Sequence, residues 1–190
     1  MPNPADLLSG TPRTSWQNRH RTFRQRQLQG FVDIVNPAGS GLGVLRESSA
    51  ALQLLIQERI NDGSQLRALG SGWSYSKVAV CEDWLLNTLK LNRLFYFSST
   101  DRLSAAYQGA PADLVLAQCG LTIKELNESL DARERSLKTS GSSNGQTIAG
   151  AVSTGTHGSR LDFGAIADSV VGIHLIVSPT RHVWLERASY

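Results

Sequence analysis

This chain of 190 residues has few cysteines and no long apolar run. Its two cysteines, Cys81 and Cys119, cannot form a disulfide framework and lie in no CxxC motif or Cys/His cluster. We therefore predict buried thiols and no metal site. No run reaches the roughly 20 apolar residues that cross a bilayer, and the first residues lack a signal-peptide pattern, so we expect a cytoplasmic protein. Charged residues make up only 18% and hydrophobic residues 41%, which favours a folded domain over disorder.

Positive charge is concentrated near the N-terminus. Residues 1–30 contain five arginines and one acid, whereas the net charge of the whole chain is +3. We interpret residues 1–30 as a basic N-terminal arm and residues 31–190 as the folded domain. Such an arm could bind nucleic acid or a membrane. Its arginines are interleaved with Trp16, His20 and Phe23, which favours a packed segment, so we predict neither of these partners.

Apolar patterning predicts strands and helices in irregular alternation. The predicted strands are Phe31–Val35, Leu66–Leu69, Trp84–Asn87, Leu114–Gln118, Gly172–Val177 and His182–Glu186. Ser48 or Ser49 is expected to cap a first helix, whose apolar face comprises Leu52, Leu55, Ile56 and Ile60. Thr122 is expected to cap a second, whose apolar face comprises Ile123, Leu126 and Leu130. Because no regular βα repeat is present, we predict an α+β fold.

A first glycine-rich loop follows the second predicted strand and reads RALGSGWSYS over residues 67–76. Gly70 and Gly72 permit a positive φ and close approach of the backbone to a ligand. Successive N–H groups in such a turn can bind anionic oxygens, although a tight turn without a ligand would have the same sequence. No Gly-Lys-Ser/Thr follows, and no GxGxxG opens a helix, so this is neither a Walker A loop nor a Rossmann fingerprint.

A second loop reads SGSSNGQTIAGAVSTGTHGS over residues 140–159. It contains five glycines and one ionisable side chain, His157. A flexible linker would not contain apolar residues such as Ile148 and Val152 at this position. We interpret the density of small residues as backbone wrapped around a flat or anionic ligand. Packing of the glycines within the protein is the alternative.

Three motifs together resemble the FAD-binding domain of the vanillyl-alcohol oxidase/p-cresol methylhydroxylase flavoprotein family, most closely its sugar-lactone and alditol oxidase branch. They are RALGSGWS at Arg67–Ser74, GLTIKELNESL at Gly120–Leu130 and GQTIAGAVSTGTHG at Gly145–Gly158. The order and spacing match, and the likeness extends over roughly Asn36–Val177. It implies a PCMH-type FAD-binding fold with its first subdomain and part of its second, incomplete at the C-terminus.

The same resemblance implies a site for FAD. The first loop would line the diphosphate, the second would surround the diphosphate, ribityl chain and flavin edge, and Val171 would contribute a backbone contact. The implied residues are Gly70, Ser71, Gly72, Trp73, Ser74, Ser142, Thr147, Gly150, Thr154, Gly155, Thr156, His157, Gly158 and Val171. In the family the substrate pocket belongs to a second, C-terminal domain, so no catalytic base is assigned.

Trp73 departs from the family pattern. Many members have a histidine there that carries a covalent flavin bond, which tryptophan cannot form, and neither cysteine occupies the other attachment point of the fold. The resemblance therefore implies non-covalent FAD, with the indole either covering a flavin face or filling the core. Histidine often serves as an acid or base in catalysis, but the backbone-rich setting of His157 favours a role in shaping the loop. His20, His174 and His182 belong to no motif and are expected to be structural or exposed.

Two functions follow from this resemblance. In the first, the chain is the FAD-binding portion of an oxidoreductase that oxidises an alcohol, sugar or lactone and depends on a C-terminal domain or partner chain. In the second, it is a non-catalytic flavin- or nucleotide-binding module or split subunit. A weaker, third hypothesis is nucleic-acid binding by the arginine arm, which would depend steeply on salt.

Overall fold

The computed structural model describes residues 3–22, 24–25, 27–99, 101 and 103–188 of the chain. These residues form two compact units: Met1–Leu91 with Ile176–Val183, and Asn92–Leu175 with Trp184–Tyr190. Both units combine helices with strands, which confirms the α+β prediction.

The first unit is built on a four-stranded sheet. Its elements are β1 (Leu8–Thr11), β2 (Trp16–Gln17), β3 (Arg24–Gln25), β4 (Gly30–Val35), helix α1 (Leu42–Asn61), β5 (Leu66–Leu69) and β6 (Trp84–Lys90), with 3₁₀ turns at Pro4–Leu7 and Lys77–Ala79. The sheet order is β1-β4-β6-β5. Strand β1 is antiparallel to β4, whereas β4 and β5 both run parallel to β6. Because β4 and β5 are parallel, they require a crossover, and α1 supplies it.

Helix α1 begins earlier than the sequence predicted. It starts at Leu42 after Gly41, which has a φ of 68°, so neither Ser48 nor Ser49 caps it. Both serines lie inside the helix and are buried. The buried stripe runs through Val44, Ser48, Ala51 and Leu55 at helical spacing, whereas Ile60 is 59% exposed. Burial of this stripe outweighs the preference of serine for a cap, since a small residue lets the helix pack closely.

Part of the predicted basic arm contributes to the core of the first unit. Strand β1 pairs with β4 from Leu8↔Ile34 to Thr11↔Phe31. Trp16 is 4% exposed and packs in one cluster with Leu28, Phe31, Leu69, Cys81 and Leu85. The guanidinium of Arg13 lies 5.0 Å from the centre of the Phe31 ring. Phe23 and Arg26 lie outside the described residues. The described part of this segment is therefore packed. The prediction of buried thiols is confirmed for Cys81, whereas Cys119 is only partly buried.

The second unit contains two helices and short strands. Its elements are β7 (Leu94–Tyr96), β8 (Val115–Ala117), α2 (Ile123–Asp131) and α3 (Ile148–Ser153), with 3₁₀ turns at Pro111–Asp113 and Ile166–Ser169. Strands β7 and β8 are antiparallel. Leu121, Leu126 and Leu130 form one buried cluster, and Ile123, Ala151 and Ile166 form another. The predicted apolar face of α2 is therefore confirmed.

A hairpin completes the described chain. Strands β9 (Gly172–Ser178) and β10 (Arg181–Glu186) pair with each other in a two-stranded sheet. The strand predictions for this region are confirmed, with small shifts at the ends. None of the helices in the described residues is both long enough and apolar enough to span a bilayer.

Helix α2 begins with a reciprocal cap. The hydroxyl of Thr122 accepts a hydrogen bond from the N–H of Glu125 at 3.2 Å, and the Glu125 carboxylate accepts one from the N–H of Thr122 at 2.8 Å. This arrangement satisfies two N–H groups that the first turn of the helix would leave unpaired. The predicted cap at Thr122 is confirmed.

Replacing Thr122 with alanine will destabilise the chain by about 1 kcal/mol, the usual cost of losing an N-cap hydroxyl. Urea unfolding monitored by circular dichroism measures this change. Thr180→Ala serves as a control, because no hydrogen bond of the Thr180 hydroxyl is present in the described residues. Equal midpoints for the two variants would contradict the energetic role of the cap.

The same cap makes stability depend on pH. Partial burial acts to raise the pKa of Glu125, but hydrogen bonds from the backbone and hydroxyl of Thr122 outweigh it, and the pKa is lowered. A carboxylate with a lowered pKa stabilises the fold fully above its unfolded pKa of about 4.3 and loses this contribution as the pH falls through its folded pKa. Glu125→Gln retains a capping side chain that does not titrate. Above about pH 4.3, we expect the free energies of unfolding of the wild type and of Glu125→Gln to change in parallel with pH. Below about pH 4.3, the free energy of unfolding of the wild type should fall relative to that of the variant. Urea titrations across this range test the prediction, and parallel curves throughout would contradict it.

Candidate cofactor-binding site

The first loop leaves the sheet at the end of β5. Leu69 is buried, and its carbonyl accepts a hydrogen bond from the Thr88 hydroxyl at 3.1 Å, which fixes the point of departure. Gly72 has a φ of 68°, a conformation that glycine adopts at little cost. The hydroxyl of Ser74 lies 2.9 Å from that of Ser76 and accepts from the Ser76 N–H. The loop is therefore an ordered turn held by its own serines.

The loop's backbone donors are unused. Within the described residues, the N–H groups of Ser71, Gly72, Trp73 and Ser74 donate no hydrogen bond, whereas the carbonyls of Gly72 and Ser74 both accept one. Neither of the two glycine-rich loops, residues 67–76 and 140–159, contains a carboxylate side chain. The guanidinium of Arg67 donates to the Val78 carbonyl at 2.7 Å. Four free donors in a loop that contains no carboxylate are suited to anionic oxygens.

Trp73 lies at the loop and is outside the buried core. Its ring is half-buried, with the guanidinium of Arg19 at 4.3 Å from the ring centre. The imidazole of His20 meets it edge-on at 5.5 Å and stacks on Tyr75 at 4.0 Å. The suggestion that the indole fills the core is therefore wrong. Its ring belongs to a partly exposed cluster of aromatic and cationic side chains.

The second loop folds against itself in the second unit. The N–H of Gly158 donates to the Thr139 hydroxyl at 3.1 Å. A Cβ on Gly158 would lie 2.2 Å from the Ser140 carbonyl oxygen, and one on Gly141 would lie 2.9 Å from the Thr156 methyl group. Close packing of the chain on itself thus accounts for these two glycines without a ligand.

Helix α3 uses several of the predicted residues for its own ends. Thr147 is 3% exposed, and its hydroxyl accepts from the Gly150 N–H at 3.3 Å as the N-cap of α3. The Thr154 hydroxyl donates to the Gly150 carbonyl at 2.8 Å, and the Thr156 N–H donates to the Ala151 carbonyl. These polar groups are engaged within the loop.

The turn after α3 presents an open backbone. Gly155 has a φ of 66°, and a Cβ added there would meet no atom within 4 Å. His157 is exposed, and its Nδ1 lies 3.1 Å from the carbonyl oxygen of Gly158. Ser142 is also exposed. The Val171 carbonyl accepts from the Arg187 N–H at 3.0 Å and is therefore already satisfied. The predicted site residues of this unit that are exposed are Ser142, Gly150, Thr154, Gly155 and His157.

The structure adds three residues that sequence reasoning did not select. Asn18, Arg19 and His20 all lie against the first loop. His20 was expected to be structural or exposed. It packs against Trp73 and Tyr75 of the first loop. The alternation of aromatic and basic residues in this segment signals packing, but nothing in the sequence indicates the partner.

A family model described as an FAD binding domain matches residues 43–185. The chain belongs to this FAD-binding family. The match includes both glycine-rich loops and the hairpin, so the cofactor assignment is FAD.

Two relatives of this FAD-binding domain are named as oxidases. It is 35% identical over 129 residues to the D-arabinono-1,4-lactone oxidase of Debaryomyces hansenii, covering 66% of this chain and 23% of the relative. It is 33% identical over 151 residues to a long-chain alcohol oxidase of an uncultured marine euryarchaeote, covering 80% and 28%. This chain thus spans about a quarter of the length of these relatives.

A solved structure shares the fold of this FAD-binding domain. The crystal structure of cholesterol oxidase from B. sterolicum matches it with a TM-score of 0.72 at 14% identity, covering 96% of this chain and 33% of that one. The predicted PCMH-type fold is therefore confirmed.

The residues present fit FAD. In the first unit, free N–H groups at Ser71–Ser74 can donate to a diphosphate. In the second unit, taken by itself, the turn at Gly155 leaves its backbone open to a ligand. When bound, FAD supplies the acceptor for hydride or electrons, and the protein supplies binding and orientation. The first loop can hold the anionic group in place, while Trp73 offers a polarisable ring beside it.

Proposed function

We propose that this chain is the FAD-binding portion of an oxidoreductase that oxidises an alcohol, sugar or lactone. The row of unpaired N–H groups at Ser71–Ser74, at the end of a parallel strand and without a nearby carboxylate in the loop, is the observation that carries the proposal. The oxidase names of its relatives support the reaction class, with a D-arabinono-lactone and a long-chain alcohol as the first substrates to test.

We also propose that the FAD is held without a covalent bond. Trp73 has no nucleophilic atom able to attack the flavin, and Cys81 is 4% exposed within the core of its unit. The first loop would bind through backbone N–H groups, each hydrogen bond contributing about 1 kcal/mol, somewhat more with a charged acceptor. The residues that contact the substrate would come from a further domain or a partner chain, since neither loop offers an evident base other than the exposed His157.

Acid precipitation of the purified, FAD-loaded chain tests both statements. We expect yellow protein that releases all its flavin into the supernatant. Flavin that remains with the pellet would overturn non-covalent binding. A colourless chain that fails to quench the fluorescence of added FAD would overturn the cofactor assignment itself.

The reaction class requires a separate measurement. Anaerobic mixing of the FAD-loaded chain with D-arabinono-1,4-lactone, an alditol or a long-chain alcohol should bleach the flavin if the substrate-binding residues are supplied. A non-catalytic flavin-binding module is the second candidate, because neither loop offers an evident base other than the exposed His157. Stable FAD binding without reduction by any of these donors, even with a C-terminal portion supplied, would favour that candidate.

A further inference from the structure

Residues 18–20 contact the first loop at its backbone as well as its side chains. The N–H of Arg19 donates to the carbonyl of Gly72 at 2.8 Å. The side-chain amide of Asn18 donates to the carbonyl of Ser74 at 3.0 Å and to the hydroxyl of Thr22 at 2.7 Å. Asn18 is only 2% exposed, so its amide is fixed within the first unit.

The bonds to the Gly72 and Ser74 carbonyls fix two peptide groups of the loop. In a planar trans peptide the C=O and the following N–H point in opposite directions. Because the Gly72 carbonyl faces residues 18–20, the N–H of Trp73 must face away from residues 18–20. The Ser74 carbonyl, held by Asn18, fixes in the same way the peptide group that joins Ser74 to Tyr75. Residues 18–20 thus bind the carbonyls of Gly72 and Ser74 and leave the N–H groups of Ser71–Ser74 free.

Side-chain contacts add to this restraint. The Arg19 guanidinium covers the Trp73 ring at 4.3 Å, and His20 stacks on Tyr75 at 4.0 Å with the two rings inclined by 14°. A Cβ on Gly72 would lie 3.5 Å from the Trp16 ring, which places that ring directly beside the loop. A loop that is ordered before binding loses less entropy when the ligand arrives.

We propose that Asn18 is a positioning residue for the diphosphate-binding loop, which it pre-orders through the Ser74 carbonyl. This inference rests on the proposed binding of FAD by that loop. Asn18 does not contact the cofactor in this scheme. It acts on the peptide group that joins Ser74 to Tyr75. Residues 18–20 are part of the binding machinery even though they lie outside residues 43–185, which match the family.

The test compares Asn18→Ala with Thr22→Val by titrating FAD into the apoprotein and following its fluorescence. Asn18→Ala removes the bond to the loop, whereas Thr22→Val removes only the second acceptor of the same amide. We expect the Kd for FAD to rise about three- to tenfold in Asn18→Ala, as for loss of one hydrogen bond, and to stay within about twofold in Thr22→Val. Equal Kd values for folded wild type and folded Asn18→Ala would overturn the inference.

Asn18→Asp provides a second measurement that does not depend on the alanine variant being folded. A protonated carboxyl group can donate to the Ser74 carbonyl, whereas a carboxylate cannot. The FAD affinity of Asn18→Asp, relative to wild type at each pH, should therefore recover as the pH falls. A flat ratio would overturn the positioning role. If wild type itself fails to bind FAD, the proposed function fails as well, whereas wild-type binding with no effect at Asn18 refutes this inference alone.

Discussion

Alanine at Gly158 will destabilise the second unit by about 3 kcal/mol or more, because the added methyl group meets backbone. The new Cβ would lie 2.2 Å from the Ser140 carbonyl oxygen and 2.7 Å from the Thr139 hydroxyl oxygen. A flexible side chain could rotate away from such a clash, but a carbonyl can move only with its chain segment. Separating residues 139–141 from 156–158 would also break the hydrogen bond from Gly158 to Thr139.

Gly155→Ala is the matched control for this variant. It makes the same chemical change three residues away, where the Cβ meets nothing within 4 Å. Because Gly155 has a φ of 66°, alanine there costs about 1–2 kcal/mol of backbone strain without a clash. Urea unfolding of both variants should therefore show the larger loss for Gly158→Ala. A midpoint for Gly158→Ala at or above that of Gly155→Ala would show that the packing of the two segments is not tight.

The local elements of this fold are accessible from sequence because each depends on neighbours in the chain. The cap at Thr122 and the apolar face of α2 need only residues three or four positions apart, and both are confirmed. The start of α1 was predicted wrongly, since burial of Ser48 and Ser49 depends on tertiary packing rather than local preference.

The candidate site was recognised through glycine spacing, but the reasons for the glycines differ. Gly72 has the positive φ angle that the first loop motif permits, whereas Gly70 does not, and Gly155 also has a positive φ. Gly158 is instead required by contact between two segments of the same loop. Likewise, Thr147 was implied as a cofactor ligand, and its hydroxyl caps α3. The sequence alone does not show whether such a glycine or threonine contacts a ligand or another part of the protein.

The contact between Asn18 and Ser74 could not have been predicted at all. The two residues lie 56 positions apart, and the bond joins a side chain to a backbone carbonyl that no residue type reveals. Arg19 and Trp73, which form a cation–π pair, are also far apart in the sequence, although both residue types are suited to such a pair. Long-range polar contacts of this kind are decided by the topology of the sheet and its connections.

An aspartate at Ser71 will weaken FAD binding at least tenfold relative to an asparagine at the same position. Ser71 lies in the loop whose N–H groups are free, and its hydroxyl makes no hydrogen bond within the described residues. Aspartate and asparagine have nearly the same shape and similar backbone preferences, so the pair differs chiefly by one negative charge. Placed within a few ångströms of a diphosphate, that charge opposes binding by about 1.4 kcal/mol or more, which corresponds to a tenfold change in Kd.

The salt dependence distinguishes charge repulsion from distortion of the loop. Titrations of FAD into the two apoproteins at low ionic strength should give the full difference in Kd. Raising the salt concentration shortens the screening length from about 30 Å at 0.01 M to about 3 Å at 1 M, and the difference should shrink accordingly. A salt-independent difference would assign the loss to local structure, and equal affinities at low salt would mean that the diphosphate does not lie at this loop.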